Sequence, residues 1–360
     1  MRSRQDGVVV NTKLISVMEN EIDKKDALLR EAGDILRRGG LVAIPTETVY
    51  GLGGDGLNKE SSRKIYEAKG RPSDNPLIIH VADMESVEHI VREISPEARR
   101  VAEAFWPGPL TMIFPKADIV PYETTGGLDT VAVRMPSHKV ARQVITYGGG
   151  YVAAPSANTS GKPSPTLAKY VMEDMDGKID MVIDGGEGDI GLESTILDMT
   201  VSPPQILRPG YVTREMLEEV LGEIDVDRTI LRNDTEDRPK APGMKYRHYA
   251  PKGELTIISG PEEAVIEYIN SNAKKAMAAG KTVGIIGSDE VIAGYVGDSV
   301  KSVGSKSDEL SIGKSLYRIL REFDEENIDV IYSESFGREG MGQAIMNRLL
   351  KAAGHQVIEV

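Results

Sequence analysis

Apolar residues at Leu28, Leu29, Ala32, Ile35 and Leu36 recur at helical spacing, and Gly39-Gly40 supplies the stop. The run Leu41-Val42-Ala43-Ile44 that follows is short and wholly apolar, as a buried strand requires. The same alternation continues to about residue 222. Strand-like runs fall at 77–79, 131–133 and 151–154, and helical stretches at 96–105 and 138–147. This predicts an α/β domain over residues 1–222, with residues 1–26 as a short lead-in strand and loop.

From 223 to 252 the periodicity fades into a linker, charged at first and then rich in Tyr, His and Lys. A second α/β unit is expected over 253–360. Its strand-like runs at 255–258, 282–286 and 328–331 alternate with helical stretches at 261–279, 308–323 and 341–352. That pattern suits a small parallel sheet with helices on both faces, in the Rossmann-like manner.

Composition narrows the classes. The net charge is −13, from 56 acids and 43 bases, which argues against a broad basic face for nucleic acid. Aromatic residues make up 5 %, too few for a base-stacking platform. No cysteine is present, so disulfides, zinc ribbons and thiolate nucleophiles are excluded. The first 30 residues hold no signal-peptide-like run and nothing later could span a bilayer, so a cytoplasmic location is expected. An anionic substrate must then meet positive charge that is concentrated locally.

Four segments carry candidate chemistry. Pro45-Thr46-Glu47-Thr48-Val49-Tyr50-Gly51-Leu52 follows a buried strand, where open α/β sheets place ligands. Lys69-Gly70-Arg71-Pro72-Ser73-Asp74-Asn75-Pro76 holds two cations in a proline-stiffened loop. If residues 69–71 are extended, Lys69 and Arg71 point the same way and suit a polyphosphate or carboxylate. His80, at the end of the next apolar run, reads by itself as a core histidine. Ala154-Pro155-Ser156-Ala157-Asn158-Thr159-Ser160-Gly161-Lys162-Pro163-Ser164 offers small residues, hydroxyls and backbone amides for phosphate oxygens. Glu193-Ser194-Thr195-Ile196 and Arg208-Pro209-Gly210 form the fourth, weak singly. Gly313-Lys314-Ser315 ends like a P-loop, but Asp308 stands where the first glycine is needed and the segment reads as a helix interior. The five histidines show no metal spacing, so no metal site is expected in the protein itself.

Together these segments, with Trp106-Pro107-Gly108-Pro109-Leu110-Thr111 and Val131-Ala132-Val133-Arg134-Met135-Pro136, resemble the YrdC/Sua5 family of threonylcarbamoyl-AMP synthases over about 27–222. The segments 241–251 and 342–348 are similar to the longer, two-domain Sua5 branch. The resemblance implies a YrdC-like twisted mixed sheet with helices around an open cavity, and a nucleotidyltransferase activity. Threonine's amine captures bicarbonate or CO2, and the carbamate attacks the ATP α-phosphate, releasing pyrophosphate and an intermediate for the tRNA t6A modification. It implies Lys69 and Arg71 as the catalytic cations. Threonine contacts are implied at Thr48, His80, Arg134, Ser156 and Thr195. ATP contacts are implied at Arg71, Asn75, Thr130, Ser156, Asn158, Ser164 and Arg208, with Tyr246 folding back over the site. Mg2+ arrives with ATP, and a downstream threonylcarbamoyl transferase complex is the implied partner. The competing expectation is a non-enzymatic RNA-binding module, which the charge count disfavours. A carbamoyl-adenylating hydrogenase-maturation enzyme would need zinc fingers, for which there are no cysteines.

Overall fold

The computed structural model describes residues 11–227, 230 and 249–360. Its first sheet contains Lys13–Ser16 (β1), Val42–Ile44 (β2), Gly51–Asp55 (β3), Ile78–His80 (β4), Leu110–Pro115 (β5) and Thr130–Arg134 (β6). It continues with Val152–Ala153 (β7), Met181–Asp184 (β8), Thr195–Asp198 (β9), Gln205–Arg208 (β10) and Asp225–Val226 (β11). Among the described residues the order across it is β1-β8-β2-β3-β7-β4-β6-β5-β9-β10-β11. The sheet is mixed: β4 and β6 run parallel, whereas β7 runs antiparallel to both β3 and β4.

The second sheet holds Glu254–Ser259 (β12), Val283–Gly287 (β13), Ser299–Ser302 (β14), Val330–Glu334 (β15) and Val357–Glu359 (β16). Its order is β14-β13-β15-β12-β16, and every pair is parallel. This is the pairing of a large mixed sheet with a small Rossmann-like one that the sequence leads one to expect.

The helices follow the apolar periodicity. Asp26–Arg37 buries Leu29, Ala32, Gly33 and Leu36 along one stripe. Lys59–Lys69 starts at Asn58, whose side chain accepts from the Glu60 amide, and ends at Gly70 with φ 60°. That left-handed residue is glycine because a Cβ would be strained there. Glu309–Glu325 contains Gly313-Lys314-Ser315 in its interior, so the P-loop look-alike is structural. No helix among the described residues is long and apolar enough to cross a membrane.

The two halves meet in one of the hydrophobic clusters. Val49, Ile190 and Leu192 from the first half pack in a cluster with Ile312, Leu316, Tyr317, Met341 and Ile345 from the second. The backbones touch where Gly191, at φ 77°, meets the middle of helix Glu309–Glu325. A Cβ on Gly191 would lie 2.6 Å from the Gly313 carbonyl oxygen. Arg321 crosses the same boundary, donating to the Pro163 carbonyl at 2.7 Å and pairing with Asp174 at 2.7 Å.

Candidate active site

The site is built where strands end. His80 and Arg134 are register partners at the carboxyl ends of the parallel strands β4 and β6. Side chains alternate along a strand, so paired residues face the same side. Both line a narrow cavity together with Thr48, Arg71, Ser156, Asn158, Ser164 and Arg208. Its free space is about 60 Å3, room for little more than two water molecules.

The Pro45–Leu52 connection supplies one wall. Arg134 donates to the Thr48 hydroxyl at 2.8 Å and pairs with the buried Glu47 carboxylate at 2.7 Å. Burial would raise the Glu47 carboxyl, but Arg134 outweighs it and holds the group below the usual range. His80 is buried, with Nδ1 3.1 Å from the Ile78 carbonyl. Burial and then Arg134 push its pKa down to about 3, so the ring is neutral at physiological pH.

The serine-rich loop forms the opposite wall. Asn158 donates to the carbonyls of Thr159 and Lys162, each at 2.9 Å, which folds the loop on itself. The Ser164 hydroxyl donates to the Glu193 carboxylate at 2.6 Å. Arg208, at the end of β10, donates to the Ser194 carbonyl at 3.0 Å and the Ser194 hydroxyl at 3.1 Å. Arg71 donates to the Pro76 carbonyl at 3.2 Å, while its Nε is buried without a partner. Burial lowers Arg71 to about 10. Beside it, both amide atoms of the fully buried Asn75 have no partner. Orphaned polar atoms of this kind are costly unless a ligand or water satisfies them.

Several expected residues sit elsewhere. Residues 69–71 are not extended. Lys69 is the last residue of helix Lys59–Lys69, and the turn at Gly70 breaks the extended geometry that would have aligned them. The buried Lys69 ammonium runs beneath the serine-rich loop, donating to the carbonyls of Ser156 and Asn158, the latter at 2.6 Å. Burial, and then Arg71, lower its pKa well below the ordinary value. Lys69 instead lines a larger, open depression of about 870 Å3 with Arg38, Lys64 and Lys178. That depression is shallow and solvated, so the narrow cavity remains the better candidate. Thr195 turns away from the cavity and donates to the Val212 carbonyl at 2.7 Å. Thr130 begins β6, at the opposite end from Arg134 and roughly 13 Å along the strand. Asn75 adjoins Arg71 but is outside the cavity lining. Tyr246 lies outside the described residues.

Among the lining residues that sequence reasoning did not single out, two matter most for the chemistry, Tyr249 and Glu193. Tyr249 faces the cavity with φ 64°, and its ring centroid is 5.1 Å from that of Tyr317. The following Ala250 amide donates to the Gly161 carbonyl at 2.9 Å, tying this stretch to the serine-rich loop. Glu193 was visible only as the neighbour of Ser194 and Thr195. Its carboxylate is the main acidic group of the cavity, and burial would raise it. Arg348 and then Arg208 override that and bring it to about 2.

The chain is similar to known proteins over nearly its whole length. Residues 34–210 match the Sua5/YciO/YrdC family model, described as "Telomere recombination". Residues 212–354 match the model described as "Threonylcarbamoyl-AMP synthase, C-terminal domain". A threonylcarbamoyl-AMP synthase of Pyrococcus abyssi is 48 % identical over 97 % of this chain and 100 % of its own length. The chain belongs to the Sua5/YciO/YrdC family. A Bacillus subtilis relative bearing the same name is 45 % identical over 94 % of this chain and 96 % of its own. The crystal structure of P. abyssi Sua5 complexed with L-threonine superposes with a TM-score of 0.91 at 47 % identity. That match covers 97 % of this chain and 100 % of that one.

Proposed function

We propose that this Sua5-family protein makes threonylcarbamoyl-AMP and pyrophosphate from L-threonine, bicarbonate or CO2, and ATP, as a nucleotidyltransferase supplying the tRNA t6A modification. The observation that carries the reading is the charge balance of the narrow cavity. Arg71, Arg134, Arg208 and Lys162 line it, against one lining acid among the described residues, Glu193. The two reactants, a carbamate and a nucleoside triphosphate, are both anions and repel one another. Three guanidiniums fixed by strand ends and by backbone carbonyls neutralise that repulsion without reorganising during the reaction.

Arg134, Thr48 and the neutral His80 form one end of the cavity, suited to the carboxylate and hydroxyl of threonine. Arg71, with the unsatisfied Asn75 amide beside it, and Arg208 form the ATP side. The carbamate oxygen attacks the α-phosphorus, the bond to the β-phosphate oxygen breaks, and pyrophosphate leaves with that electron pair. No covalent enzyme intermediate is needed. Lys69 contributes by fixing the serine-rich loop through two carbonyls. Tyr249, on the chain leaving the linker, helps to close the cavity over a product that water would hydrolyse.

The residues do not form a magnesium cage. The Glu193 carboxylate is already committed to Ser164, Tyr317 and Arg348, and no three acidic or imidazole groups converge among the described residues. Mg2+ is read as the counter-ion that ATP carries into the site. A labile mixed anhydride must be handed on, so a downstream threonylcarbamoyl transferase is the natural partner, working in the cytoplasm.

The test is pyrophosphate release by the purified protein. Release should require ATP, bicarbonate and L-threonine together. Release that ignores threonine would refute the reading, and so would tight RNA binding without nucleotide and with no release at all.

A further inference from the structure

The Glu193 carboxylate faces the cavity, yet two of its partners come from the far side of the domain boundary. Tyr317, from helix Glu309–Glu325, donates its hydroxyl to Glu193 at 2.9 Å. Arg348, from helix Gly342–Ala352, donates Nε at 3.0 Å and reaches the Glu193 carbonyl at 3.4 Å. Both side chains are fully buried. The third partner is the Ser164 hydroxyl, which lies on the cavity wall.

We propose that Tyr317 and Arg348 are positioning residues that set the Ser164 hydroxyl at the substrate cavity through Glu193. This rests on the adenylating function argued above.

A carboxylate with donors on three sides has one orientation left. It cannot rotate to follow solvent, and it accepts but cannot donate, so the Ser164 hydrogen is committed to it. The Ser164 oxygen consequently presents its lone pairs to the cavity in a fixed direction. Without Tyr317 and Arg348, Glu193 would be free to turn and the serine would sample other rotamers.

Stability alone does not account for the arrangement. A buried ion pair is often matched or bettered by apolar residues of the same volume, whereas the network fixes geometry. The same side of the second domain also grips the next residue of the loop. Arg321 donates to the Pro163 carbonyl through both Nε and Nη2, at 3.0 and 2.7 Å. Consecutive residues 163 and 164 are thus held by the second domain, one through backbone and one through Glu193. Tyr317 additionally packs on Tyr249, the other cavity residue that the second half of the chain orients.

The experiment uses the full chain and two readouts. In the first, hydrogen exchange of the amides at 159–166 is compared for wild type, Tyr317→Phe and Arg348→Lys. Tyr317→Phe removes one hydroxyl and keeps the ring, so the fold survives it. Arg348→Lys keeps the charge that Glu193 needs but not the two-point contact. Each variant should exchange these amides about tenfold faster, with exchange in strands β4 and β6 unchanged.

The second readout is a double-mutant cycle of Tyr317→Phe with Ser164→Ala on pyrophosphate release, separating KM for ATP from KM for threonine. Each single change should lower kcat/KM for ATP about five- to tenfold, and the pair should be no worse than the poorer single. Unchanged exchange at 159–166 overturns the proposal, and so do additive losses in the cycle. A wild type that releases no pyrophosphate would instead overturn the adenylating function, while the exchange readout still decides the positioning.

Discussion

Replacing Arg71 with methionine should raise the stability of the protein and nearly abolish its activity, two effects that a structural arginine would not combine. Burial lowers the Arg71 guanidinium from 12.5 to about 10. That displacement corresponds to about 3 kcal/mol by which the folded site disfavours the charge at neutral pH. Compensation is thin: one bond to the Pro76 carbonyl at 3.2 Å, a marginal one to the Asn75 carbonyl at 3.5 Å, and a buried Nε with no partner. Allowing about 1 kcal/mol for the lost hydrogen bond and some for solvent reaching a half-buried side chain, methionine should gain about 1–2 kcal/mol. In a chain of this length that is a rise of about 1–3 °C in melting temperature. On the proposed function the same cation would face the reacting phosphates, and removing such a donor costs about 3 kcal/mol of transition-state stabilisation, about a hundredfold in rate. Thermal melts without ligand and steady-state pyrophosphate release measure the two sides. ATP should also stabilise the variant less than the wild type, because ligand linkage follows affinity. A variant that melts lower and turns over at near-normal rate would show that Arg71 is scaffolding.

Acid should weaken the fold through His80 before it reaches the carboxylates. Its folded pKa, about 3, lies below the ordinary 6.5. The unfolded chain therefore takes up the proton first, and stability present above pH 6.5 drains away as pH falls towards 3. His80→Gln should flatten the urea midpoint between pH 6 and pH 4, and parallel curves for the two proteins would contradict the burial argument. Glu193, held at about 2 against an ordinary 4.5, should add its own loss below pH 4.5 in both proteins. Gly191→Ala should destabilise by about 1–3 kcal/mol, since the residue has φ 77° and its Cβ would press on the Gly313 carbonyl. An unchanged urea midpoint would mean that the two halves part without cost.

Much of this was legible in the sequence, for local reasons. Leu29, Ala32 and Leu36 fall on one helical face by spacing alone, and they are the residues that helix Asp26–Arg37 buries. The motif loops after β2 and β7 carry chemistry because strand ends in such sheets open onto a ligand, and both do line the cavity. Lys69 shows where local reasoning slipped. Asn58 and Gly70 bracket a helix that claims Lys69, so the extended geometry that a following proline favours at Arg71 does not reach back to it. Glu193 shows a different limit. Its partners Tyr317 and Arg348 lie 124 and 155 residues away, and no periodicity states which distant charges meet in a core. Tyr249 escaped notice for a similar reason, since attention fell on Tyr246 three positions earlier.

The pairing of His80 with Arg134 has an evolutionary corollary. The residues behind them, Ile78 with Ala132 and Ile79 with Val133, are apolar on both faces, so sliding one strand by a single position would leave the interior as greasy as before. Hydrophobicity thus gives no protection to the pairing of His80 with Arg134. That protection comes from β6's antiparallel neighbour, where Thr111 lies opposite Arg134, and from β7 opposite His80. An insertion of one residue inside β4 or β6 is the lesion from which a folded, soluble and wholly inert descendant would arise.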